Sequence, residues 1–268
     1  MIDTHCHLTF PDFAGEGALD ATMAEAAAAG VTGAITISTT TQDCLRARDI
    51  ALAHPRVWHT AGVHPLHASE GPHEWRNLPT CFESPKCVAW GELGLDNHYD
   101  DPPKDVQRTV LDEQLAFIEA CARGEHDGPA ILKPIVLHCR KAFDDLIPIL
   151  ARTSLDPARF VFHCFTGNEA DMRKLLDFGA MVSFTGVITY KNAPEVRAAA
   201  QLVPIDRIMV ETDAPYLSPE PLRSQRPCKP AMVALTAQAL ADCRGERFED
   251  FHAAINANTS RFFGIDAR

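Results

Sequence analysis

Eight short apolar runs recur along the chain, and stretches with helical spacing separate most of them. The runs, rich in β-branched and aromatic residues, lie at 1–5, 32–38, 57–63, 88–92, 135–138, 160–163, 181–184 and 208–211. Ala- and Leu-rich stretches at 19–29, 42–53, 106–121, 142–151, 169–178 and 194–202 predict helices between them. Such alternation gives parallel βαβ units. Eight units close into a barrel of about 250 residues, and the chain has 268. The expectation is a TIM-type (β/α)8 barrel, formed as one domain over residues 1–268. An open doubly wound sheet ranks below it, because no GxGxxG fingerprint follows the first run.

Two connections stand out. The Pro-rich segment 214–230 follows the eighth run and reads as an ordered loop over the barrel mouth, since helical sequence resumes at Met232. The segment 124–134 is long for a helix-to-strand connection.

The formal net charge of −11 argues against a protein that coats duplex nucleic acid, which is usually basic. It leaves room for a strand end entering one cationic pocket, whose sign bound divalent ions would change. The nine cysteines contain no CxxC pair, so a zinc ribbon is unsupported. The chain opens Met1-Ile2-Asp3-Thr4-His5 without a basic or apolar leader, and no apolar run approaches the roughly 18 residues of a membrane span. These features predict a cytoplasmic protein with reduced thiols and no membrane partner. A monomer is favoured.

The residues that carry chemistry stand at the ends of predicted strands. His5 and His7 close the first as an HxH pair; side chains at i and i+2 share a strand face, so both can grip one cation. Cys6 between them points to the helix layer. Glu92 ends the fourth, where its two oxygens can bridge two cations. His138 and His163 end the fifth and sixth, and the cysteines after them, Cys139 and Cys164, are expected to face outward. Asp213 follows the eighth, as a ligand that can also take a proton. Singly, each has a plainer explanation: a core histidine, a surface glutamate, a turn-capping aspartate. Jointly they deliver imidazoles and carboxylates to the C-terminal strand ends, where barrel enzymes keep their active sites. Four imidazoles and two carboxylates suit two divalent ions, with zinc, manganese, nickel or magnesium as candidates. Two ions about 3.5–4 Å apart activate a water and clamp a leaving oxygen.

At these residues the sequence resembles the TatD family of metal-dependent hydrolases, within the amidohydrolase superfamily. The likeness rests on Ile2-Asp3-Thr4-His5-Cys6-His7-Leu8, Gly62-Val63-His64-Pro65, Gly91-Glu92-Leu93-Gly94-Leu95-Asp96, Leu137-His138-Cys139-Arg140, Phe162-His163-Cys164-Phe165-Thr166-Gly167 and Val210-Glu211-Thr212-Asp213-Ala214-Pro215-Tyr216-Leu217. Ser183-Phe184-Thr185-Gly186 and the closing Asn258-Thr259-Ser260-Arg261-Phe262-Phe263-Gly264 add to it. The resemblance implies a TIM barrel and cation binding by His5, His7, Glu92, His138, His163 and Asp213. It implies Glu92 and Asp213 as the catalytic pair, Glu92 bridging and Asp213 accepting a proton. The family is linked to deoxyribonuclease activity at DNA ends, and relatives remove D-amino acids from tRNA. Two stretches depart from the family pattern: Asn97-His98-Tyr99, where aromatic residues are usual, and the long 124–134 connection.

Charge and position nominate substrate contacts. His64 ends the third strand and can donate to a phosphate oxygen or support a ligand. Arg140 follows His138, and a guanidinium fits phosphate oxygens bidentately. Arg223 and Arg226 lie in the loop over the mouth. Three functions stay open at this point: a phosphodiesterase acting on nucleic acid ends, an ester or amide hydrolase such as a D-aminoacyl-tRNA deacylase, and an idle barrel that binds a partner.

Overall fold

All eight expected strands form, and each pairs in parallel with its neighbours in chain order. In the computed structural model, which describes residues 1–126 and 128–267, they are β1 (Ile2–Cys6), β2 (Gly33–Thr36), β3 (Val57–Ala61), β4 (Cys87–Asp96), β5 (Ile135–Arg140), β6 (Phe160–Phe162), β7 (Met181–Phe184) and β8 (Ile208–Val210). The ring closes where the chain beyond β8 meets β1. The Thr4 hydroxyl donates to the Val210 carbonyl at 2.9 Å, and the Asp213 amide donates to the His5 carbonyl at 2.8 Å. Cys6 and Ala214 form a parallel bridge. The fold is a TIM (β/α)8 barrel.

Helices α1 (Ala18–Ala28), α2 (Asp43–Ala53), α3 (Asn77–Cys81), α4 (Lys104–Ala122), α5 (Phe143–Leu150), α6 (Glu169–Phe178), α7 (Pro194–Leu202), α8 (Val233–Arg244) and α9 (Phe248–Phe263) accompany the strands. Local chemistry sets their ends. Asn168 caps α6 through a reciprocal capping box with Asp171, and Gly179 closes it in the left-handed conformation. On α4 the buried positions are Gln107, Val110, Leu111, Gln114, Leu115, Ile118 and Cys121. That spacing of three and four puts one face on the barrel. No helix among the described residues is long and apolar enough to cross a membrane.

The barrel floor is apolar. Ile2, Ile35, Val136, Val161 and Met209 pack in one cluster there, and Phe263 with Ala267 joins it from α9 and the tail. The mouth at the other end is polar.

Two irregularities aim side chains into that mouth. Pairing of β1 with β2 slips between Asp3 and Cys6, and pairing of β4 with β5 slips between Trp90 and Leu93. An extra residue in a strand resets its inside–outside alternation. Ile2 therefore packs in the floor, while Cys6, four residues on, packs with the outer helix layer. Likewise Trp90 and Leu93, an odd number apart, both face the helices.

Strand ends differ from expectation by one or two residues in most strands, and by most at β4. β4 does not stop at Glu92 but runs to Asp96, paired with β5 through Gly94–His138 and Asp96–Arg140. Gly94 permits this. Its φ is 147° and a Cβ there would collide with the His138 carbonyl. The expected long connection at 124–134 contains Asp127, which lies outside the described residues.

Candidate metal centre

Glu92 stands at the middle of the mouth, 1% exposed, and its two oxygens face different neighbours. Oε1 lies 2.7 Å from His163 Nε2, 2.8 Å from His138 Nδ1 and 3.4 Å from His64 Nε2. Oε2 lies 3.2 Å from His5 Nε2. Asp213 Oδ1 sits beyond, 3.6 Å from His5 Nε2 and 3.3 Å from His7 Nε2. The rings of His5 and His163 stack at 3.8 Å. Among the described residues, three groups present donor atoms close enough for one ion each: His5, Glu92 and His163; His5, His7 and Asp213; and His64, Glu92 and His138. All six residues expected as cation donors thus converge, and His64 joins them.

Each donor is placed by its backbone. Asp213 has φ 60°, a left-handed turn that non-glycine residues seldom take. It turns in beside β1, where its amide binds the His5 carbonyl and the His7 amide binds the Ala214 carbonyl at 2.7 Å. Two glutamines of α4, one face and seven residues apart, hold two further segments. Gln114 accepts from the Val63 amide and donates to the Val63 carbonyl, both at 2.9 Å, which fixes the residue before His64. Gln107 accepts from the Asp96 amide at 2.9 Å and donates to the Asp96 carbonyl at 3.1 Å.

Two carboxylates unnoticed in the sequence orient histidines. Asp96 Oδ2 lies 3.0 Å from His138 Nε2. Glu211 Oε1 accepts from the Cys164 amide at 2.6 Å and lies 3.3 Å from His163 Nδ1, while its Oε2 accepts from the Ser183 hydroxyl at 2.5 Å. A carboxylate behind an imidazole sets the tautomer and ring orientation of a cation ligand.

Burial and neighbouring charge together shift the titration of Glu92, Asp213, His64 and His163. Burial pulls Glu92 upward, but His163, His64 and His5 outweigh it and hold its carboxyl well below the usual range. At Asp213 burial is likewise overcome, chiefly by the His7 hydrogen bond, and the pKa falls. Burial pushes His64 down to about 4. Burial also lowers His163, yet Glu92 and Glu211 raise it well above an ordinary imidazole. The centre is a set of ionised carboxylates interleaved with imidazoles.

That set fits divalent cations. Among the described residues, both ring nitrogens of His5 and the Oε2 of Glu92 are buried without a hydrogen-bond partner. Orphaned buried polar atoms are costly, and a cation between His5 Nε2 and Glu92 Oε2, which face each other at 3.2 Å, satisfies those two. Mixed nitrogen and oxygen donors suit zinc, manganese or nickel better than magnesium, which prefers oxygen.

A cavity of about 590 Å³ opens over the cluster, and Arg140 and Arg226 are among its lining residues. Arg223 is not: its guanidinium stacks 3.9 Å over Tyr190, beside Glu220 at 3.8 Å. Cys164 lines the cavity rather than facing outward, whereas Cys139 packs in the cluster that faces the helices, as expected, and only borders the cavity. At Cys164 the reason is its φ of 46°, which ends strand alternation directly after His163.

Comparison with known proteins agrees with this geometry. A family model described as TatD related DNase matches residues 2–264. An uncharacterized metal-dependent hydrolase, YcfH, of Escherichia coli K12 is 35% identical, covering 100% of this chain and 97% of its own. The 3'-5' ssDNA/RNA exonuclease TatD of Erwinia billingiae is 33% identical over the full length of both. The crystal structure of YJJV, a TatD homolog from E. coli K12, superposes with a TM-score of 0.88 at 30% identity, covering 99% of this chain and 98% of that one. The chain belongs to the TatD family of metal-dependent hydrolases.

Proposed function

We propose that this hydrolase cleaves phosphodiester bonds at the ends of nucleic acid strands, using two divalent cations bridged by Glu92. The observation that carries the reading is the division of the Glu92 oxygens: Oε2 faces His5, and Oε1 faces His138 and His163. In this reading His5, His7 and Asp213 would hold one cation with Glu92, and His138 and His163 would hold the other. The bound pair supplies Lewis acidity for a phosphoryl oxygen and a lowered pKa for the attacking water.

The protein's own groups do the rest. Asp213, 16% exposed in its side chain, is the one acidic donor open enough to take a proton from water. Arg140 and Arg226 in the cavity wall neutralise phosphate oxygens. His64, within 3.4 Å of Glu92 and 3.1 Å of His138, supports the bridge. Arg223 lies outside the cavity lining, over the Tyr190 ring, so this reading leaves it out of the phosphate contacts.

The Erwinia relative's name, with its single-stranded DNA and RNA substrates, supports the phosphodiester reading. A carbonyl ester or amide substrate, such as a D-aminoacyl-tRNA, is the second reading, favoured by the net charge of −11. The test is end-labelled single-stranded DNA incubated with protein loaded with zinc, manganese, nickel or magnesium. Stepwise loss of terminal nucleotides supports the proposal. Intact DNA under every metal, beside turnover of aminoacyl esters, overturns it in favour of the second reading.

A further inference from the structure

Most large apolar side chains are covered, and the exceptions are informative. Among the described residues five large hydrophobics are exposed: Leu52, Tyr99, Leu132, Ile205 and Tyr216. The two aromatic ones, 46% and 49% exposed, both line the cavity over the metal centre. The three aliphatic ones do not. Aromatic surface left open in the cavity over the metal centre fits a ligand with a flat apolar face.

The rings are also held in register with the centre. Asp96, whose Oδ2 meets His138, accepts through Oδ1 from the His98 amide at 2.8 Å and the Tyr99 amide at 3.2 Å. One carboxylate therefore sets both a candidate cation donor and the turn that presents Tyr99. On the other side, the Tyr216 amide donates to the Asp213 carbonyl at 2.9 Å. Tyr216 is thereby tied to the proton acceptor. Phe10 bridges inward: its ring lies 6.2 Å from that of Tyr216 and stacks at 4.8 Å on His7. The Arg140 guanidinium lies 5.1 Å over the Tyr99 ring, so a cation stands on one face of that ring and stacking falls to the other.

Flat rings beside guanidinium groups are how proteins hold unpaired nucleotides: bases stack and phosphates pair with cations. We infer that Tyr99 and Tyr216 are base-stacking platforms for unpaired nucleotides at the strand end, and that they set which phosphate reaches the metal centre. The inference rests on the phosphodiester reading above and adds the residues that select single strands. A base held in a duplex has no free face for either ring, so an unpaired end is preferred. Stacking tolerates any base, so little sequence preference is expected.

The test uses a single-stranded oligonucleotide with 2-aminopurine at its terminal positions and phosphorothioate linkages, so that binding is read without turnover. Metal-loaded protein is expected to quench the fluorophore. Tyr99→Leu and Tyr216→Leu each weaken binding about 5- to 100-fold, while Tyr99→Phe, which keeps the ring, stays close to the parent protein. Leu132→Ala, a control outside the cavity, leaves binding unchanged. On cleavable DNA, abasic terminal nucleotides cost the parent protein a similar factor and cost the leucine variants little. If the parent protein cleaves DNA and the leucine variants bind and cleave equally well, the stacking assignment is wrong and the phosphodiester reading stands. If the parent protein neither binds nor cleaves the oligonucleotide, both fall together.

Discussion

At the scale of single residues, the centre depends on groups one step behind the donors. Glu211 has no direct place among the three donor groups, yet it meets His163, the Cys164 amide and Ser183. Glu211→Gln keeps the shape and removes the charge. It is expected to lower cation affinity and activity about 10- to 100-fold, read by metal titration and turnover. This role was hidden in the sequence, because Glu211 reads as the end of an apolar strand and Asp213 as its functional neighbour. Asp96 was hidden similarly, by a strand that continues beyond Glu92. The donors themselves were legible, because a polar side chain after each apolar run has no packing explanation when five strands repeat it.

His59 offers a residue-scale test of stability. It is fully buried on β3, with Nε2 unpartnered, and burial pushes its pKa down to about 4 from 6.5. The unfolded chain then binds a proton between those values that the folded chain refuses. Its contribution is intact above about pH 6.5 and is lost as pH falls toward 4, by on the order of 3 kcal/mol in full. His59→Leu is expected to flatten the acid limb of stability relative to the parent protein in urea unfolding at pH 7, 5.5 and 4.5. Equal slopes in the two proteins would contradict the assignment.

At the scale of elements, the strands and helices read from periodicity lie within a few residues of those observed; β6, β7, α6 and α7 match almost residue for residue. What periodicity cannot show is a bulge, because an inserted residue leaves no mark when both faces of a strand are buried. The slips in β1 and β4 are of that kind. Nor does it show that α4 works as a clamp. Gln107 and Gln114 fall on its apolar stripe and would be read as interruptions, yet each satisfies both polar groups of a residue next to the centre or in it. Gln114→Leu leaves the Val63 amide and carbonyl buried and unpaired. A loss of about 2–4 kcal/mol is expected, with activity falling beyond the loss of folded protein because His64 shifts. Unfolding midpoints and activity per folded molecule measure the two effects separately.

At the scale of the whole molecule, the barrel separates stability from chemistry along its axis. The floor is an apolar plug and the mouth a charged cluster, joined by strands buried on both faces. Phe263, 3% exposed, fills the floor together with the tail residue Ala267. Phe263→Ala is expected to cost about 3–5 kcal/mol in chemical denaturation, while activity per folded molecule at low temperature stays near that of the parent protein. A large loss of activity at full folding would show that floor and mouth are coupled. On the proposed reading, the same polarity would let an acidic protein take an acidic substrate: the local field at the mouth would come from bound cations and from Arg140 and Arg226, not from the net charge of −11.

The account turns on Glu92 standing between two cations. Manganese-loaded crystals, measured at the metal's absorption edge, test this directly. Two anomalous peaks about 3.5–4 Å apart are expected, one beside Glu92 Oε2, His5, His7 and Asp213, the other beside Glu92 Oε1, His138 and His163. A single peak on one side of Glu92, or none within reach of it, would contradict the two-cation centre and the function built on it.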